Sequence, residues 1–251
     1  EQIRSFALDA VAEIVARFMP TDAVVKAAQE FLGFSNASIV SQSARILALA
    51  QVEPFLAQQQ ALLISERPSE VRNAARLLGY GRYRSAVPAL LARIHPDEMA
   101  LVDALIWALG EIGDKRALPK LHTMLSDALC TEEILEALGK IGDATSIPRL
   151  LPFLLDGVTT QRRASAQALS RVLRQNDGQA FDAALYEALK AALQATLDRD
   201  SDPAVCYHAV VCLSLLGESL AVSRILKAIG SALSTNEMEA LASFFSRPKP
   251  N

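Results

Sequence analysis

The chain has 251 residues, 51% of them hydrophobic, with a formal net charge of −3 and a mean hydropathy of +0.21. That apolar content excludes a disordered chain, and a pI near 5.7 excludes a general nucleic-acid binder, which needs a broad basic face. No apolar run reaches the length of a membrane span, and Cys130, Cys206 and Cys212 are too few and too scattered for a disulfide framework, so a cytoplasmic, reducing location is expected.

Leu and Ala dominate the sequence, which favours an all-α class. The chain opens on Glu1 with residue 3 already in an amphipathic pattern, as a domain of a longer polypeptide or a processed terminus would. Residues 3–19 read as one helix with Phe6, Ala10, Ile14 and Phe18 on or beside its buried face. Pro20-Thr21-Asp22 breaks it and caps 22–33, which Gly33 ends; Ser35-Asn36 caps 37–50. Helix 53–64 has Pro54 in its first turn, where a missing N–H costs nothing, and Pro68 opens 69–79. The link Gly79-Tyr80-Gly81-Arg82-Tyr83-Arg84-Ser85 leads to 86–94, and Pro96 starts a long helix over 97–111.

At this point the chain repeats itself. Ala108-Leu109-Gly110-Glu111-Ile112-Gly113-Asp114 returns 29 residues on as Ala137-Leu138-Gly139-Lys140-Ile141-Gly142-Asp143. Each copy is a helix end, with Gly for a left-handed exit and Asp to cap the next helix. A second helix with Pro near its start follows each, at Ala117-Leu118-Pro119-Lys120-Leu121 and Ser146-Ile147-Pro148-Arg149-Leu150. The pattern carries on to Leu155. Helices over 159–175, 179–197, 203–216, 219–233 and 235–245 follow, that over 179–197 about two turns longer than its counterparts, and 247–251 reads as a disordered tail.

A small residue recurs in every second helix, at Ala16, Ala48, Gly79, Gly110, Gly139, Ser170 and Ser214, in steps of 32, 31, 31, 29, 31 and 44 residues. Periods of this size mean stacked helical repeats, and the small residue lets neighbouring helices approach closely. The expected fold is a single domain over 1–246, a right-handed α-solenoid of about seven antiparallel helix pairs, each burying its apolar face against its neighbours.

The phrase Ala-Leu-Gly-x-Ile-Gly-Asp, with the Pro-bearing helix after it, resembles the HEAT repeats, and most closely the short HEAT-like repeats named after the phycobilisome lyases. The resemblance is strongest at 108–121 and 137–150, recognisable at 69–91 and 201–217, and faint before residue 40. It implies an Arg–Asp ladder along the second helices. Here Arg72 and Arg162/Arg163 keep the arginine, Asp202 keeps the acid, and Cys206 stands where another Arg belongs, so the ladder is expected to be incomplete.

Such arrays line their concave surface with second helices, which makes Arg45, Arg72, Arg76, Asp103, Glu132, Glu136, Arg163, Gln167 and His208 the candidate contact residues. Tyr80, Arg82, Tyr83 and Arg84 on the 79–85 link join them, since Tyr and Arg give large contact area and forked hydrogen bonding. Residues 67–93 carry six arginines against Glu70 alone, beside an acidic stretch, 96–157, with 11 acidic and 5 basic side chains. An acidic partner segment docking on the basic shoulder and pairing between neighbouring repeats are both compatible with this asymmetry. Trp107 reads as core.

No His or Cys spacing suits a metal, no nucleophile elbow or phosphate-cradling loop is present, and no cofactor is expected. The leading expectation is a non-catalytic scaffold or regulatory module binding a protein partner. The resemblance implies an alternative, a phycobilin lyase or isomerase subunit working with a partner subunit. A HEAT-like DNA glycosylase is a third, disfavoured by the charge.

Overall fold

The computed structural model describes residues 7, 10–15, 21–32, 36–95, 98–126, 130–176 and 181–217. Among them all regular structure is helical, and the fold is an all-α solenoid of helix pairs. The helices expected over 219–233 and 235–245, the tail 247–251 and Asp97 lie outside the described residues. The chain forms two compact units, Glu1–Ile141 and Gly142–Asn251.

In the first unit α1 (Asp22–Phe31) pairs with α2 (Ala37–Leu49), α3 (Glu53–Ala61) with α4 (Pro68–Tyr80), α5 (Val87–Arg93) with α6 (Met99–Ile112), and α7 (Leu118–Ser126) with α8 (Thr131–Ile141). The second helices stack on one another, α4 on α6 and α6 on α8. Between them they bury Val71, Ala74, Ala75 and Leu78, then Leu101, Leu105, Ile106 and Leu109, then Ile134, Leu135 and Leu138. Each large side chain so buried stabilises the unit by about 1.5–3 kcal/mol. Helix α6 is apolar on most of its circumference because helices cover it on several sides.

The doubled phrase is legible in the backbone. Gly113 and Gly142 take φ of 70° and 71°, the left-handed exit. Asp114 and Asp143 then accept from the N–H groups of Arg116 and Thr145, both at 2.9 Å, opening short 3-10 turns that feed α7 and the helix after Gly142. The exit falls three residues after the small residue at Gly110 and Gly139, and equally after Ala48, Gly79 and Ser214: Gln51, Arg82 and Gly217 have φ of 54°, 48° and 85°. Two of these five positions are not glycine, and a side chain there costs about 1–2 kcal/mol.

The second unit contains α9 (Ile147–Asp156), α10 (Thr159–Gln175), α11 (Ala183–Arg199) and α12 (Pro203–Leu215). Helix α10 packs on α9 and α12, and the Ser165 hydroxyl donates to the Leu150 carbonyl at 2.7 Å, fixing α10 on α9. Cys212 is buried, and burial pushes its thiol up to about 12, so it behaves as a small hydrophobe.

Some boundaries differ from expectation. The segment 53–64 breaks at Ala61 into a 3-10 turn (Leu62–Ile64), and Ile64 is 88% exposed. The long helix begins at Met99, just after Glu98, whose carboxylate pairs with Arg93. Helix α11 starts at Ala183, where the Asp182 carboxylate accepts from Leu185 N at 2.9 Å. In the first segment Ala12 and Val15 are buried, while Ile14 is 58% exposed: the buried face is rotated by one position.

Candidate functional site

Second helices α4, α6 and α8 place a groove of about 320 Å³ in the first unit, lined by Arg76, Tyr80, Asp103, Ala104, Trp107 and Glu133. Arg76 and Tyr80 lie one helical turn apart on α4, and Asp103 and Trp107 do the same on α6, so each helix contributes one polar and one aromatic side chain from a single face. The two rings meet edge to face, with centroids 5.1 Å apart at 72°. Trp107 can lie there because Gly79 has no side chain: a Cβ on Gly79 would stand 2.7 Å from the indole.

Cations close both ends of this aromatic pair. The Arg45 guanidinium on α2 sits over Tyr80 at 5.2 Å, and the Lys140 ammonium on α8 over Trp107 at 5.8 Å. Lys140 is also paired with Glu111 at 2.9 Å and with Glu136 at 3.8 Å. Arg45 reaches Glu13 at 3.4 Å, and its buried Nε meets no acceptor among the described residues. Four successive second helices are therefore linked by the file Arg45, Tyr80, Trp107, Lys140.

Cys130, at the start of α8 with φ of 50°, has its thiol pushed up by burial and by Glu133, Asp103 and Glu132. It is held protonated, a poor nucleophile. Among the described residues no group of three or more His, Cys, Asp or Glu is arranged to hold a metal, and no helix is long and apolar enough to cross a membrane.

The structure brings Arg76, Tyr80 and Asp103 together and leaves the other candidates elsewhere. Arg72 is half-buried on α4; Glu132 and Glu136 lie on α8, Glu136 against Lys140. On the link, Arg82 and Arg84 are exposed, while the Tyr83 hydroxyl is hydrogen-bonded to Glu53 at 2.7 Å and the Arg84 carbonyl accepts from Arg116 at 2.8 Å. No ion pair joins Arg76, Arg82 or Arg84 to Glu98 or Asp103 among the described residues. In the second unit Arg163 is bonded to Asp202 (2.8 Å) and Arg162 to Asp200 (2.6 Å), a doubled rung of the Arg–Asp ladder. Trp107 and Glu133 were not candidates from sequence. Trp107 is half-buried, and its one sequence signal was a lone aromatic one turn from an acid.

The pattern of HEAT repeats matches residues 58–132 and again 104–170. A stretch of 58 residues is 45% identical to the bilin biosynthesis protein PecE of Nostoc sp. (strain PCC 7120); it covers 23% of this chain and 23% of PecE, so the chain spans about a quarter of that relative. The fold is similar to a chain in the complex of CpcE and CpcF of phycocyanin lyase from Nostoc sp. PCC7120, with a TM-score of 0.50, 22% identity, and coverage of 88% of this chain and 94% of that one. This chain carries HEAT repeats over residues 58–170.

Proposed function

We propose that this chain is a phycobilin-lyase-like subunit that handles a linear tetrapyrrole in the α4–α6–α8 groove and works with a partner protein. The observation that carries the reading is the groove itself, in repeats similar to those of a bilin biosynthesis protein. A bilin offers a conjugated π-system, propionate carboxylates and pyrrole N–H donors. Trp107 and Tyr80 supply stacking surface, Arg76 a partner for a propionate, and Asp103 and Glu133 acceptors for pyrrole N–H groups. The volume suits part of such a ligand, since pockets for small molecules run from about 300 to 1,000 Å³. In this reading the groove binds and orients the chromophore. Titrating the purified chain with phycocyanobilin should red-shift and sharpen the bilin absorbance, and Arg76→Ala and Trp107→Ala should each weaken binding by about tenfold, the worth of one good contact. A bilin spectrum unmoved by the wild-type chain rules the reading out.

A scaffold reading, with the partner protein contacting the 79–85 link, is supported by the exposure of Arg82 and Arg84 there. Arg82→Glu with Arg84→Glu should keep the fold with at most a small drop in thermal midpoint, since the Arg84 carbonyl bond to Arg116 is kept and only the Arg84 charge beside Asp114 is lost, while slowing association with an acidic partner and reducing its salt dependence. Lost stability with unchanged association would remove the link from the contact surface.

A further inference from the structure

Helix α10 carries Arg162, Arg163, Arg171 and Arg174. The first two are engaged, by Asp200 and Asp202. The second two, three residues apart and so on one face, make no ion pair among the described residues. Arg171 goes further: its Nη1 is buried and meets no acceptor there. A buried guanidinium donor left unmatched costs free energy that an incoming acceptor recovers.

His208 on α12 joins them. Its Nδ1 lies 3.1 Å from the hydroxyl of Ser170, which also donates to the Gln167 carbonyl at 2.8 Å, so the ring is held against α10. Burial and then the charges of Arg174 and Arg171 hold its pKa below the ordinary histidine value. Tyr207 meets the same ring edge to face at 5.1 Å and is 60% exposed, the largest exposed aromatic on α12. Helices α10 and α12 contain no acidic residue; Asp177, three positions after Arg174, lies outside the described residues, and Asp202, which caps α12, is occupied by Arg163 and by the N–H groups of Ala204 and Val205.

The C-terminal carbonyls of α10 account for Arg174, since a cation is favoured in a last turn. They do not account for Arg171 a turn earlier with an unmet buried donor, nor for an aromatic left in water beside it. Unmatched arginines flanked by an exposed tyrosine have the composition of a contact surface, with charge complementary to carboxylates. The cluster spreads over two helices and offers no nest of backbone N–H groups at a helix start, so it suits an extended chain better than a compact phosphate.

We propose that Arg171, Arg174 and His208, with Tyr207 alongside, dock a carboxylate-rich peptide segment of a partner protein. The proposal rests on the partner-protein part of the reading above and not on the bilin groove.

The test uses the whole chain and a fluorescein-labelled polyglutamate peptide, with polyglutamine as control, followed by anisotropy. The expected result is binding of polyglutamate but not polyglutamine, weakening as salt rises, and weakened about tenfold or more in Arg171→Glu/Arg174→Glu. If the double variant loses helicity by circular dichroism, Arg174→Gln decides instead, because that side chain is exposed and its loss should still weaken binding about threefold. Arg76→Ala, in the other unit, should bind polyglutamate as the wild type does, so failure of the bilin reading and failure of this one are separable. No binding by the wild type, equal binding by the variant that keeps its fold, or displacement of the peptide by inorganic phosphate or a single-stranded oligonucleotide as readily as by unlabelled polyglutamate would overturn the proposal.

Discussion

Gly110→Leu should cost about 3 kcal/mol, the upper end of what overpacking does in a filled core. A Cβ on Gly110 would stand 2.9 Å from the Cα and 3.0 Å from the Cβ of Ala137. The obstructing atoms belong largely to backbone, which cannot swing aside as a long side chain does, so α6 and α8 must separate. In a chain of this length the thermal midpoint should fall by roughly 6–12 °C. Gly110→Ala is the informative companion: the first carbon alone meets the clash, while helix propensity returns about 1 kcal/mol. It should land near or slightly below wild type. A leucine variant that melts with the wild type would mean that the close approach of α6 and α8 does not persist in solution.

Asp202→Ala should produce the largest loss in the second unit. One carboxylate accepts from Ala204 N at 3.0 Å and Val205 N at 3.2 Å, capping α12, and bonds to Arg163 across to α10. The Arg163 guanidinium, then the cap donors, hold its pKa at about 2, below the ordinary 3.8, and Arg162 holds Asp200 low in the same way. A depressed folded-state pKa means the contribution is complete above pH 3.8 and is lost as pH falls from there towards 2. Alanine should lower the midpoint by several degrees at neutral pH, and Asn, which keeps the caps but not the ion pair, by less. Melting wild type and Asp202→Asn across an acid series should bring the two curves together as the wild-type carboxylate protonates. A gap that stays constant down to pH 2 would assign the effect to packing instead.

The repeat period, the left-handed glycines and the Asp caps were legible in the sequence because each depends on residues within one turn of each other. Gly113-Asp114 and Gly142-Asp143 state their own geometry. Gln51 and Arg82 do not, although they occupy the same backbone state, because tertiary packing imposes on them a conformation their side chains disfavour. The groove was half legible. Arg76 and Asp103 were marked by their places on second helices and Tyr80 by its place on the 79–85 link, but whether Trp107 is core or lining depends on the absence of a side chain at Gly79, 28 positions earlier. Arg162/Arg163 and Asp202 were marked as ladder residues by the resemblance, but the Arg162–Asp200 pair, joining residues 38 apart, was not.

The chain has a single tryptophan, and Trp107 lies wholly within the first unit, its indole flanked by Tyr80 and Lys140. Intrinsic emission excited at the red edge of the indole band therefore watches only residues 1–141, whereas helical ellipticity sums the entire chain. Recorded together on one heated sample, the two signals separate the cooperativity of the repeats into its parts: superimposed curves describe one melting block, and an ellipticity change without an emission change belongs to the repeats beyond Gly142.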